Sequence, residues 1–456
     1  MTGRLTAVGF PEEQVRERAR TGAAAVFPPT AGYGTTLWGA GQAAGDLLDA
    51  VRVVPPVFMP QRLEKLIELG REPHHDDVEL ACTLGGFGSA LPLYVSAFGS
   101  TRATGDELGE AVGRQAGRLG IPLVIGENIV PVNGYRSSAD NGSSPLLGRI
   151  RAYAEAVEEA PAGCGGVVVQ QSTEDADSEV WNLVYSDPAV EPLHATGRLA
   201  FELKVGQGAK PGLGGMTVLP AAQAAALAEQ YRTADIFGPG AGSSGTSGAD
   251  PDSDTGGTER QVLRTSSPGT FTEEILRQQI RLMRNNFPRA RVWVKLHPGR
   301  DVARAAATAW QAGADAVTVD GAEGGTGWAP RSFLDHVGLP LADCLRAVDA
   351  DGHCLLVSGR IWEGARALKA LALGASGVGL GRAALLAADE DREQGLVRLV
   401  ESIALELRLL ISALGKYRLD AVDDTDLLLP DGLARHPQYV QDLPQLKSPT
   451  ETGSYS

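Results

Sequence analysis

The chain is poor in cysteine. Among 456 residues only Cys82, Cys164, Cys344 and Cys354 carry a thiol, and no two of them form a CxxC pair. That argues against a disulfide framework or a cysteine-rich structural zinc site and fits a reducing compartment. Long hydrophobic runs are missing too, with no uninterrupted apolar stretch near the ~20 residues a membrane span needs. The opening residues, MTGRLTAVGFPEEQ, lack the basic-then-apolar pattern of a signal peptide. Positive charge is in deficit: 41 lysines and arginines against 56 acids leave a formal net charge of −15. A surface that acidic repels phosphate backbones and anionic lipids, so neither nucleic acid nor a membrane is the expected partner. A soluble, cytoplasmic chain acting on a small molecule is the expectation.

What is present is ordinary globular material, 43% hydrophobic and 21% charged. The length suits one α/β barrel of ~250 residues or more with extensions. Short apolar runs recur from about residue 90: Leu91–Ser96, Pro122–Ile125, Gly166–Gln170, Phe201–Val205, Val292–Leu296, Ala316–Asp320, Leu355–Gly359 and Gly377–Gly381. Stretches with apolar spacing near i, i+3, i+4 separate most of them, among them DELGEAVGRQAGRLG, LLGRIRAYAEAVEEA, DVARAAATAWQAG and IWEGARALKALALG. Strands in this βα order predict a (β/α)8 TIM barrel, with a doubly wound open sheet as the alternative. The expected layout is an N-terminal cap region over 1–88, the barrel over 89–390 and a C-terminal helix and tail over 391–456. Gly238–Glu259, almost devoid of apolar residues, is expected to be a mobile insertion after the fourth strand. The helix VRLVESIALELRLLISALG, broken by Arg and Glu, packs on the barrel or forms a contact between copies.

Active sites of such barrels form where the strands end. The residues there are Ser96 on the first strand, Glu127 and Asn128 after the second, and Gln170 and Gln171 on the third. Lys204–Met216 (KVGQGAKPGLGGM) follows the fourth, Lys295 and His297 belong to the fifth, and Asp320 ends the sixth. Ser358, Gly359 and Arg360 close the seventh, and Gly381 and Arg382 the eighth. Glycine lets the backbone approach an anion, a helix start aims N–H groups at it, and arginine adds a charged fork. SGR and GLGR after the last two strands fit a phosphate site, although each alone is also ordinary turn chemistry. KVGQGAKPGLGG is either a surface loop or, with two lysines beside a strand end, a binding loop for an anionic ligand. His297 reads as an acid/base or as a loop histidine. PHHDD (Pro73–Asp77) has neighbouring side chains that diverge, so no metal is expected there.

The run FELKVGQGAKPGLGG resembles the K-x-x-Q-G-A-K-P-G-x-G-G motif of the glutamate synthase central FMN-binding domain. Further stretches stand in that family's order: PLYVSAFGS upstream, then VKL, DGAEGGTGWAP and SGRIWEGARALKALALGASGVGLG. The likeness covers roughly residues 85 to 390, and the chain is similar to the stand-alone flavin subunit of N-methylglutamate synthase. The resemblance implies an FMN-dependent oxidoreductase acting on CH–NH2 or C=N groups, with hydride passing at the α-carbon of a small amino acid, 2-oxo acid or imine. It implies that Lys204, Gln207 and Lys210 line the flavin and oxo-acid site, and that Lys295 stands by the flavin ring. Gly324, Gly325 and Thr326 would wall the cofactor, with Ser96 and Ser358 beside it. Gly359, Arg360, Gly381 and Arg382 would hold the phosphate. Lys210 and Gln207 would take the substrate carboxylate, and His297 or Glu127 the proton.

Departures narrow this. Leu213 and Met216 stand where the family has Glu and Gln, which speaks against 2-oxoglutarate. No cysteine cluster follows the barrel and no N-terminal nucleophilic cysteine is present, which leaves NAD(P)H, a partner protein or the substrate itself as the electron source, with an electron-donating or ammonia-supplying protein among the candidate partners. Related readings keep the flavin and change the chemistry, to a hydroxy-acid oxidase, an isomerase-like barrel or a non-catalytic flavin-binding subunit.

Overall fold

The computed structural model describes residues 29–33, 36–38, 47–98, 106–126, 145–173, 178–206, 208, 216–221, 232–237, 261–265, 271–326 and 329–430. Eight parallel strands close into a barrel in chain order. They are β1 (Leu93–Phe98), β2 (Leu123–Ile125), β3 (Val167–Ser172), β4 (Leu199–Lys204), β5 (Arg291–Leu296), β6 (Ala316–Asp320), β7 (Leu355–Ser358) and β8 (Gly377–Leu380). The ring closes where Val378 of β8 pairs with Leu93 of β1. Each strand overlaps one of the apolar runs, because strands covered on both faces need no polar alternation.

Period two is still visible in what each face packs against. Val95, Val169, Phe201, Val294, Val319 and Val357 face outward into the large core shared with the helices. Tyr94, Val124, Val168, Ala200, Trp293, Ala316 and Leu356 face inward and fill the bottom of the barrel. A hairpin absent from the sequence expectations, Cys82–Leu84 with Phe87–Ser89, seals that end. Its Leu84 and Phe87 join the inner cluster, and the Gly85 carbonyl accepts a hydrogen bond from Trp293 Nε1 at 3.0 Å.

The surrounding helices include α1 (Asp106–Leu119), α2 (Pro145–Ala156), α3 (Glu273–Asn286), α4 (Val302–Ala312), α5 (Gly364–Ala372), α6 (Arg382–Glu390) and α7 (Gly395–Ala413). Alpha-1 and α2 approach closely because α1 presents Gly109, Gly113 and Gly117 at four-residue spacing. A Cβ at Gly117 would lie 2.7 Å from the Tyr153 carbonyl oxygen. Gly117→Leu is therefore expected to cost at least ~2 kcal/mol by overpacking, read as a lower denaturant midpoint. Helix α7 buries Leu396, Val400, Ile403, Leu407 and Ile411, so barrel packing accounts for this apolar stripe. No helix among the described residues is long and apolar enough to cross a membrane.

Between β4 and β5 the sequence suggested only an insertion. The structure has a three-stranded antiparallel sheet there, Met216–Pro220, Gln261–Thr265 and Arg232–Ala234. Its small core of Val218, Phe237 and Leu263 gathers Tyr33, Trp38 and Met216. Residues 238–259 lie outside the described residues, as does the tail from 431.

Candidate active site

Above the apolar plug, the inward positions turn polar. On β4 the inward series runs Ala200, Glu202, Lys204, and on β5 it runs Trp293, Lys295. Lys204 and Lys295 are paired in register, so the two cations stand side by side at the strand ends. Lys295, only 5% exposed, lies with its Nζ 3.2 Å from Asp320 Oδ2. The same carboxylate oxygen accepts from the backbone N–H of Gly208 at 3.1 Å. Asp320 Oδ1 accepts from the Ser358 hydroxyl, and Ser96 Oγ reaches Ser358 Oγ at 3.4 Å. Asp320 thereby ties four βα junctions together: β1, the loop after β4, β5 and β7.

One layer deeper, Glu202 accepts from Gln170 Nε2 and from Thr318 Oγ1 at 3.0 Å. Burial pushes the Glu202 carboxyl above its ordinary range, and nearby Lys295 pulls it back down. A buried ionisable group of this kind is stable only when hydrogen-bonded and offset by charge.

His297 follows β5 with its imidazole packed against the loop after β4: a Cβ on Gly206 would sit 2.6 Å from His297 Nδ1. Burial lowers its pKa below the ordinary histidine value, against a smaller upward pull from Asp301. The ring is therefore neutral at neutral pH and able to accept a proton.

The ends of β7 and β8 carry the arginines. Arg360 has φ of 56°, a left-handed conformation uncommon for a residue with a side chain. It is held from two sides. The carbonyl of Gly359 accepts from Arg366 Nε at 3.3 Å and Nη2 at 3.1 Å. Asp49, from the N-terminal region, bonds Arg366 at 2.8 Å and Arg360 at 3.4 Å. Arg382 opens α6, lies over Gly325, where a Cβ would come 2.9 Å from its Cγ, and donates to the Glu323 carbonyl at 2.7 Å. Burial, and then the charge of Arg360, lowers the Arg382 pKa. Two cations that repel each other fit an anionic ligand. Gly381, the N-cap of α6, has open space where a Cβ would stand, which lets a phosphate meet the helix start. These features fit a phosphorylated cofactor.

Gly324 packs on Gly208, and Thr326 exchanges two backbone hydrogen bonds of 3.1 Å with Trp38. The N-terminal region therefore reaches both ends of the barrel, with its hairpin below and Trp38 and Asp49 above. Ser96, Lys204, Lys295, His297, Gly324, Gly325, Thr326, Ser358, Gly359, Arg360, Gly381 and Arg382 all belong to this end. Glu127, Gln207 and Lys210 lie outside the described residues. Sequence reasoning assigned no role to Glu202, Asp320 or Asp49. The first was readable as an acid inside an apolar run at an inward position; Asp49 carried no signal. Met216 packs with Tyr33 and Trp38 in the insertion's core. In PHHDD, the backbone N–H of His74 donates to Asp77 Oδ2 at 2.7 Å, so that segment forms a capped turn tied to Arg71.

Residues 267–392 match the family model described as the conserved region in glutamate synthase. The chain is 34% identical over 196 residues to the archaeal-type glutamate synthase [NADPH] of Thermotoga maritima, covering 41% of this chain and 34% of that one. Over 93 residues it is 43% identical to the glutamate synthase large subunit-like protein of Rhizobium meliloti, covering 19% and 21%. The chain spans about a third of the length of the archaeal-type relatives it matches, at 34% of their length. Among solved structures, a double mutant of flavocytochrome b2 with pyruvate bound aligns at TM-score 0.54 and 17% identity, over 98% of this chain and 100% of that one. A soluble mutant of the (S)-mandelate dehydrogenase of Pseudomonas putida aligns at 0.52 and 19%, over 91% and 99%. Those two likenesses establish the barrel fold, and the sequence matches show a glutamate-synthase-like region over part of the chain.

Proposed function

We propose that this glutamate-synthase-like barrel is an FMN-dependent oxidoreductase acting on the CH–NH2 or C=N group of a small amino acid, 2-oxo acid or imine. One observation carries the reading. Lys295, Arg360, Arg382 and the open backbone of Gly381 stand at the same end of the barrel, an arrangement suited to a phosphorylated flavin. Bound there, FMN supplies the ring that takes up or gives back the hydride. Arg360, Arg382 and the N–H groups opening α6 hold the phosphate. Lys295 places positive charge beside the ring, Gly324 to Thr326 wall it, and Ser96 and Ser358 line the floor. By the motif resemblance, Lys210 and Gln207 would hold the substrate carboxylate.

His297 is the proton carrier this geometry supports best, with Glu127 as the second candidate. Its lowered pKa sets a testable sign. The base form is populated above its folded pKa, which lies below the ordinary value of 6.5. Activity should hold across neutral pH and fall only as pH drops below that window, and His297→Asn should remove the acid limb together with most of the rate. Stability shifts the same way: protons bind the unfolded chain first, so stability falls as pH drops from the unfolded pKa through the folded one.

The test is the visible spectrum of the purified protein and identification of the released cofactor. Bound FMN, reduced by NADPH (the donor in the names of the archaeal-type relatives) or by a partner protein and reoxidised by a small oxo acid with an amine, supports the proposal. A colourless protein that takes up no added FMN overturns it. Reduction by 2-hydroxy acids alone would favour hydroxy-acid oxidation, and a flavin no substrate touches would favour a non-catalytic subunit.

A further inference from the structure

We propose that Asp320 is a positioning residue that sets how much positive charge Lys295 presents to the cofactor ring, so that it tunes the flavin's reduction potential. The inference rests on the flavin reading above. Three donors converge on this carboxylate: Lys295 Nζ at 3.2 Å, the Gly208 N–H at 3.1 Å and the Ser358 hydroxyl. At 3% and 5% exposure, the acid and the amine are both withdrawn from water, where a contact between opposite charges is screened far less than at the surface. Without Asp320 the lysine would face the ring site with its charge much less offset. With Asp320 much of that charge is answered within the floor, while the Gly208 and Ser358 bonds fix where the acid stands. Glu202 lies one layer below, bonded to Gln170 and Thr318 and also drawn down by the charge of Lys295, while Asp320 brings an oxygen to 3.2 Å from the amine.

The consequence has a sign. A two-electron-reduced flavin carries negative charge, so a less neutralised Lys295 favours it over the oxidised form. Asp320→Asn keeps the size and one acceptor oxygen, turns the other acceptor into a donor and removes the charge, and should raise the midpoint potential of the bound FMN. The expected effect is at least about tenfold tighter holding of the reduced form relative to the oxidised one, about 30 mV for a two-electron couple. Ser358→Ala should move the potential the other way. It takes one donor from the carboxylate, leaving more of its charge to Lys295, and it reads the same logic if the Asn variant fails to fold.

The experiment is a spectroelectrochemical titration of the FMN-loaded wild type and both variants at one pH and salt concentration. A rise for Asp320→Asn with a fall for Ser358→Ala supports the proposal; if only Ser358→Ala folds, its fall alone does so. Bound FMN whose potential stays put or falls in Asp320→Asn overturns it, as does a rise or no change in Ser358→Ala should the other variant not fold. A wild type that holds no FMN overturns the flavin reading itself, a result distinct from either.

Discussion

Replacing Arg360 and Arg382 together by alanine is expected to weaken FMN binding by at least about a hundredfold. Hydrogen bonds to charged partners contribute about 1.5–3 kcal/mol each, so losing one from each arginine removes about 3–6 kcal/mol. At 1.4 kcal/mol per factor of ten this is roughly two to four decades. Arg382 is partly buried and its pKa is lowered by burial and by the charge of Arg360, so the two like charges oppose each other, with Asp49 at 3.4 Å answering Arg360. Folding of the ligand-free variant should accordingly be little changed, while FMN uptake collapses. Arg360→Ala alone should cost less, because Asp49 already shares its guanidinium. Fluorescence titration with FMN at fixed ionic strength checks the prediction, and an affinity like that of the wild type would move the phosphate away from the ends of β7 and β8.

The largest stability effect is expected at the opposite end of the barrel. Trp293 has no exposed surface, packs against Phe87 at 5.6 Å between ring centroids and donates to the Gly85 carbonyl. Trp293→Ala should destabilise the protein by about 3–5 kcal/mol through lost burial and the cavity left behind. Trp293→Phe, which keeps the ring but not the N–H, should cost less. Chemical denaturation followed by circular dichroism measures both. An alanine variant as stable as the wild type would mean that the hairpin Cys82–Ser89 does not plug the barrel. Lys295 stands two residues further along the same inward face, so a folded Trp293→Phe should keep its FMN affinity.

Much of this was readable from residue order. The eight apolar runs were legible because a strand covered on both faces must be continuously apolar, and each became one barrel strand. The arginines after the last two strands, and Lys295 with His297 on the fifth, were legible because barrel strands deliver their ends to one face. Glycine at 324, 325 and 381 was legible because a ligand or a neighbouring chain needs that space. The hairpin plug was not, since Cys82–Ser89 is short and mixed in character and takes its meaning from the Trp293 it covers, some two hundred residues away. Nor was the sheet between β4 and β5, whose three short strands gain a core only when Tyr33 and Trp38 arrive from the N-terminal region.

Taken alone, the order of residues determined the strand count, the βα alternation, the end of the barrel where the candidate lysines and arginines gather and the glutamate-synthase-like motifs. These depend on local periodicity and on the chirality of βα crossovers, which act within a few tens of residues. Tertiary structure alone decided that Asp320 joins Lys295, Gly208 and Ser358, that Asp49 steadies Arg360 and Arg366, and that Glu202 is buried under the site. Those are contacts between residues far apart in the chain, made by closure of the barrel, and charge and hydrogen bonding act through space rather than along the sequence.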